Sequence, residues 1–229
     1  MTNIDWQLPP STVQFLQRAP ANHAVAVLLR HSVRQDHLPL GEAGDSLPIT
    51  LDGRQLGHEL GTIIGERLQS IYTSPVVRCV QTAEVLQRGA GTLLPVTHDR
   101  MLGDPGVYIM DTERAGDNWK CLGNEGVIQH MILSSDPLPG MVQSDKGAHV
   151  LMYHLLSTMD NVAGVHVFVT HDSILSVTVA RLLKQSFCSF VFPQFLEAAF
   201  FWETHKGVHI VYQNVENIRA KIQHELPPK

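Results

Sequence analysis

Two short stretches carry residue types that could do chemistry. Arg30-His31 follows the apolar run at 24–29, and His171-Asp172 follows a second β-like run at 165–170. A neutral imidazole near pH 7 is a competent nucleophile, and a guanidinium holds oxyanions with paired N–H donors. Arg34 lies four residues beyond Arg30, and Arg78 falls in the first turn of a helix predicted after Ser74-Pro75. Three arginines gathered at one spot without matching carboxylates repel one another. A dianion such as a phosphoryl group would balance them.

The elements that must position these residues alternate short apolar runs with longer helical stretches, which implies an α/β fold. The run at 24–29 is continuously apolar, as expected of a strand covered on both faces. In open α/β sheets the ligand crevice lies beyond the carboxyl ends of the strands. If these two strands are parallel neighbours, His31 and His171 meet there despite their distance in sequence. Thr50 as N-cap and Asp52 in the first turn predict a helix to about Leu68. Its glycines at 57, 61 and 65 would let it approach the sheet closely.

A strand at about 70–73 leads into Ser74 as N-cap and Pro75 as first helical residue, with an apolar face of Val76, Val80, Ala83 and Leu86. A third strand is expected at about 93–97. Between Asp104 and Gly140, five glycines and three prolines weaken the pattern, so an irregular insertion with one short helix is expected. Further helices are expected over about 145–159 and from 171 to about 184. Two late strands, about 198–203 and 208–213, read as a hairpin at the sheet edge. The tail ending Pro227-Pro228-Lys229 is expected to fray.

Composition bounds the rest. The 229 residues are 44% hydrophobic and 17% charged, enough to bury a sizeable core in one large domain. A net charge of −5 argues against a general nucleic-acid or membrane-surface partner. No apolar run is long enough for a bilayer-spanning helix, and the N-terminus lacks a signal-peptide pattern. Cys79, Cys121 and Cys188 are odd in number and far apart, with no metal spacing, and read as packed reduced thiols. A cytoplasmic location is therefore expected. Trp119 and Trp202 read as packing residues of core or lid, and Asp36 and His37 as part of a solvated loop.

With those elements in place, the motifs become specific. Leu29-Arg30-His31-Ser32-Val33-Arg34 resembles the Arg-His-Gly-x-Arg signature of the histidine phosphatase superfamily, which also contains phosphoglycerate mutases and acid phosphatases. Tyr72-Thr73-Ser74-Pro75-Val76-Val77-Arg78-Cys79-Val80-Gln81-Thr82-Ala83 resembles its second block, and Thr170-His171-Asp172 its third. The family's glycine is Ser32 here. The resemblance implies a three-layer α/β/α sandwich with a mostly parallel central sheet, forming one domain over 1–229. The insertion at about 104–144 would lie over the crevice as a lid.

It also implies roles. His31 would be the nucleophile that becomes phosphorylated, with Arg30, Arg34, Arg78 and His171 holding the phosphoryl oxygens. The substrate would be a small phosphorylated molecule, with no metal and no cofactor. A homodimer is compatible with the sequence.

The proton donor has candidates from two branches of the family. Asp172 resembles the His-Asp pair of acid phosphatases and phytases, whose Asp is the donor. Asp104 stands where the mutase-like branch places its acid, and Glu113 is a third candidate. A mutase and a non-catalytic phosphate-binding relative are the rival readings. Other hydrolase classes fail on spacing. No cysteine has an arginine six positions on, as a cysteine-dependent phosphatase requires. Gly44-Asp45-Ser46-Leu47 matches a serine-hydrolase motif in letters but has no Asp-x-x-His partner. His149 and His154 are five apart and do not share a helix face for metal.

Overall fold

The computed structural model describes residues 6–35, 46–187 and 190–220, and within them seven strands form one sheet. β1 (Ala24–Arg30), β2 (Leu68–Thr73), β3 (Val96–His98) and β4 (Gly164–Thr170) are parallel, in the order β3-β2-β4-β1. β5 (Ala198–Thr204), β6 (Gly207–Tyr212) and β7 (Val215–Arg219) continue antiparallel from β1 to the far edge. Helices α1 (Pro10–Arg18), α2 (Leu51–Ile64) and α3 (Val77–Gly89) bear on one core, and α4 (Thr112–Leu133), α5 (Ser144–Thr158) and α6 (Asp172–Leu183) on a second.

The strand sequences explain the two cores. Val25, Val27 and Leu29 join Phe15, Leu60 and Leu86 on the α1–α3 side. Ala26 and Leu28 alternate to the other side, with Ile128, Leu151 and Leu175. Successive strand side chains point to opposite faces, so a strand buried on both must be apolar at every position. Each fully buried Val, Leu or Phe contributes roughly 1.5–3 kcal/mol. The four parallel strands and helices on both faces match the expected sandwich.

Several elements differ from expectation, each for a physical reason. The small-residue stripe of α2 packs on α3 rather than on the sheet. A Cβ at Gly61 would sit 2.1 Å from Leu86 O, one at Gly57 2.5 Å from Val85 Cγ2, and one at Gly89 1.9 Å from His58 O. Gly65 ends α2 with φ +55°. The irregular insertion is mainly the 22-residue α4, capped by Asp111 and broken at Gly123 (φ 67°, ψ 176°). That break and three internal glycines hide its periodicity. The late hairpin is not the edge, because β5 borders β1 and the polar, exposed β7 takes the edge. α1 opens on Pro10 and buries Thr12, Phe15 and Leu16.

Cys79 is buried, whereas Cys121 is exposed. Trp202 is in the core. Asp36, His37, Gly44, Asp45, Cys188 and the segment Pro227-Pro228-Lys229 lie outside the described residues. No helix among the described residues is long and apolar enough to cross a membrane.

Because the backbone of α3 blocks Gly61 while only a valine side chain blocks Gly57, the two alanine variants should differ. Gly61→Ala should lose about 1–3 kcal/mol of unfolding free energy, and Gly57→Ala clearly less. Urea denaturation of both variants checks the order, and equal losses would refute the backbone contact as the cause.

Candidate active site

The parallel pairing of β1 with β4 sets Arg30 opposite Thr170, so the residues that follow leave the sheet together. His31 N–H donates to Thr170 O at 2.9 Å, and the rings of His31 and His171 lie 5.8 Å apart. Arg78, at the start of α3, reaches between them. Its Nε donates to His31 Nε2 at 3.2 Å and its Nη2 to His171 Nδ1 at 3.1 Å. The N-termini of α3 and α6 open on the same cleft, adding free N–H groups and positive dipole ends.

The partners assign the tautomers. His31 Nδ1 lies 2.8 Å from Ser32 O, which only accepts, so Nδ1 carries the hydrogen and Nε2 the lone pair. His171 Nδ1 faces an arginine donor, so its hydrogen is on Nε2, which donates to Ser74 Oγ at 3.0 Å. Burial, then His171 and the nearby Arg78 and Arg30, hold His31 well below the usual imidazole range. Burial and then Arg78 push His171 down to about 3. Both rings are therefore neutral at pH 7.

Arg30 lies over the Phe195 ring, 4.1 Å from its centroid, and its Nη1 donates to Pro193 O at 2.6 Å. Its Nη2 is 3.7 Å from Asp172 Oδ2. Asp172, first residue of α6, also accepts from Asn124 Nδ2 at 3.2 Å and from Ser173 N–H at 2.8 Å. Arg34 borders the cleft, with its Nη1 on Gln35 O. Asp104 stands at the cleft's exposed rim, 3.9 Å from Arg100. Thus Arg30, His31, Arg34, Arg78, Asp104, His171 and Asp172 all line one cleft of about 1070 Å³. Glu113 is exposed in the first turn of α4, outside that lining.

Ser32 does not face the cleft. Its Oγ donates to Gly53 O at 2.7 Å and its N–H donates to Thr82 Oγ1 at 2.9 Å, both buried. Its φ is not positive, so this turn does not require glycine. Ser74 does not open α3 as an N-cap. Val76 occupies that position, while Ser74 Oγ receives His171 Nε2–H. Cys79 packs against Thr170 O at 3.6 Å, its thiol pushed up to about 12 by burial.

Sequence reasoning missed Gly103, Phe195 and Asn124 as parts of the site. Gly103 has φ +149°, and a Cβ there would sit 2.5 Å from both His171 Nε2 and Ser74 Oγ. Its position just before Asp104 was a usable signal. Phe195 and Asn124 lie in segments that carry no motif.

Residues 26–108 match the family model described as histidine phosphatase superfamily (branch 1). No curated protein matches the chain in sequence. Among solved structures, a mutant phosphoserine phosphatase from Entamoeba histolytica, in complex with phosphoserine, is similar at TM-score 0.58 and 19% identity. The match covers 83% of this chain and 97% of that one. A mycobacterial glucosyl-3-phosphoglycerate phosphatase is similar at TM-score 0.54 and 17% identity, covering 79% and 90%. Phosphoglycerate mutase from Bacillus anthracis is similar at TM-score 0.54 and 15% identity, covering 88% and 93%. The residues that resemble the family's blocks gather at the ends of β1, β2 and β4, residues 26–108 match the histidine phosphatase superfamily (branch 1), and the fold is shared with these solved structures.

Proposed function

We propose that this protein hydrolyses a phosphomonoester through a phosphohistidine on His31, without a metal or cofactor. The observation that carries the reading is the His31 ring itself. It is buried and neutral, with Nδ1–H fixed on Ser32 O and the Nε2 lone pair turned toward Arg78. A nucleophile held in one tautomer beside fixed cations is what phosphoryl transfer requires, because alignment and charge on the equatorial oxygens supply most of the catalysis.

Binding of the dianion draws the N–H groups of Arg78 from the imidazoles onto phosphoryl oxygens, which frees the lone pair. Arg30 and Arg34 complete the clamp, and His171 joins it by taking up a proton at the Nδ1 that Arg78 releases, which the bound dianion favours. Nε2 then bonds to phosphorus as the bond to the leaving oxygen breaks, and Asp172 gives its proton to that oxygen. In the second half, the Asp172 carboxylate takes a proton from water. The resulting hydroxide bonds to phosphorus, the Nε2–P bond breaks and inorganic phosphate leaves. Asp172 is the favoured donor because it follows His171 and is half as exposed as Asp104, which stands at the rim (30% against 59%).

His31→Ala should abolish phosphate release from an aryl phosphate and leave no acid-labile label on the protein. Arg78→Ala should lower kcat/KM by about 10²–10³, or about 2.7–4 kcal/mol. A fall below tenfold would remove Arg78 from the clamp.

Asp172→Asn should slow esters of poor leaving groups far more than aryl esters with good ones, and Asp104→Asn should change both alike. The reverse pattern in steady-state assays would make Asp104 the donor.

Between the ordinary imidazole pKa of about 6.5 and about 3, the unfolded chain binds a proton at residue 171 that the folded chain does not. Acidification therefore favours unfolding. His31 acts in the same direction. Urea unfolding should show lower stability at pH 5 than at pH 7, and His171→Asn should flatten the slope. An unchanged slope would contradict a neutral His171.

A further inference from the structure

We infer that the substrate is a phosphomonoester carrying a bulky apolar group, and that Trp119 is the residue that selects it. This inference rests on the hydrolase reading above and goes on to the body of the substrate. The cleft separates its chemistry by depth. The floor, at the strand ends, holds Arg30, His31, Arg34, Arg78 and His171. Above it, Val76, Val77, Tyr108, Ile109 and Trp119 give apolar surface, beside the polar Thr112, Lys120 and Asn124. At about 1070 Å³ the space suits an organic group well beyond a phosphoryl moiety.

The α4 wall has a defined register. Thr112, Ala115, Gly116, Trp119 and Lys120 recur at helical spacing and line the cleft together. The indole is tied to the floor by a short relay. Trp119 Nε1–H donates to Asn124 Oδ1 at 3.4 Å, Asn124 Nδ2 donates to Asp172 Oδ2 at 3.2 Å, and that oxygen is 3.7 Å from Arg30. The break at Gly123 sets Asn124 in place for this. The Trp119 ring therefore connects through Asn124 and Asp172 to Arg30 and lines the same cleft with its N–H engaged, so what it offers a ligand is ring surface. The ring also packs against the core, as its sequence context suggested, while lining the cleft.

Charge on the wall points the same way. Lys120 is paired with Asp117 on its own helix at 2.7 Å, and Asp104 at the rim pairs with Arg100. A second anionic group on the substrate, such as a carboxylate, meets Lys120 on the α4 wall, which already has an acidic partner. An apolar body meets surface with none of that cost.

The test uses the full chain and alkyl esters of like leaving-group acidity. 3-Phenylpropyl phosphate should have at least tenfold higher kcat/KM than n-propyl phosphate or 3-phosphoglycerate. Trp119→Ala should erase most of that ratio, and Trp119→Phe should restore it. Gly116→Leu gives an independent check. A Cβ there meets nothing within 4 Å, so the added side chain enters the cleft without displacing the core. It should also lower the ratio.

Phosphate release from all three esters with less than a tenfold preference, or a preference for 3-phosphoglycerate, overturns the inference and leaves the hydrolase reading standing. So does a ratio that survives in both Trp119→Ala and Gly116→Leu. If no ester is hydrolysed but calorimetry shows 3-phenylpropylphosphonate binding at least tenfold tighter than n-propylphosphonate, the hydrolase reading fails and the apolar selection is upheld. Absence of both overturns both.

Discussion

Arg78 donates a hydrogen bond to His31 and another to His171, and both rings accept because neither is protonated. Protonating either would set a second positive charge at hydrogen-bond distance from a guanidinium, in surroundings with little water to screen it. Burial acts in the same direction on both rings. The cluster therefore stays neutral at its two nitrogen bases and cationic at its arginines. A dianion reverses the imbalance without moving the framework, since it accepts the N–H groups that the imidazoles now hold. In the proposed reaction, the resting contact would thus leave the His31 lone pair free only when ligand is present.

Holding that contact requires three elements to agree. β1 and β4 must pair in the observed register, because a one-residue slip would turn His31 or His171 to the opposite face. α3 must start close enough for Arg78 to span both rings, and its seat against α2 is set by glycines whose Cβ atoms have no room. The 99–104 loop must pass His171 closely enough that only a glycine fits at 103. Asp99 anchors that loop through His154 at 2.6 Å, and although burial opposes it, hydrogen bonds from His154 and Met101 N–H hold this carboxyl below its usual range. The cores on either side of the sheet supply the stability against which this arrangement is maintained.

Much of this was legible in the sequence, for identifiable reasons. A strand buried on both faces leaves a continuous apolar run, and the residues at its end mark the crevice, so Arg30-His31 and His171-Asp172 could be placed together. Arg78 was legible because it follows Ser74-Pro75, although Ser74 serves His171 rather than the helix end. The α2 glycines signalled close approach but not to which neighbour, since a small residue carries no address. α4 was hidden because Gly123 splits its period. β7 was hidden because an exposed edge strand needs no apolar pattern. Phe195 and Asn124 act through tertiary contact alone.

Asn124 joins the two halves of the cleft in a way that neither half shows alone. Its side-chain oxygen takes the Trp119 indole N–H, and its nitrogen donates to the Asp172 carboxylate. An amide has a fixed geometry, so a shift of the indole moves the donor that Asp172 sees. In the proposed reaction, recognition of the substrate body and protonation of its leaving oxygen would share one side chain. A body well seated against Trp119 would keep Asp172 aimed at the leaving oxygen, and a poorly seated one would not. Binding energy from the non-reacting part of the substrate would in this way be expressed in the chemical step rather than in affinity alone.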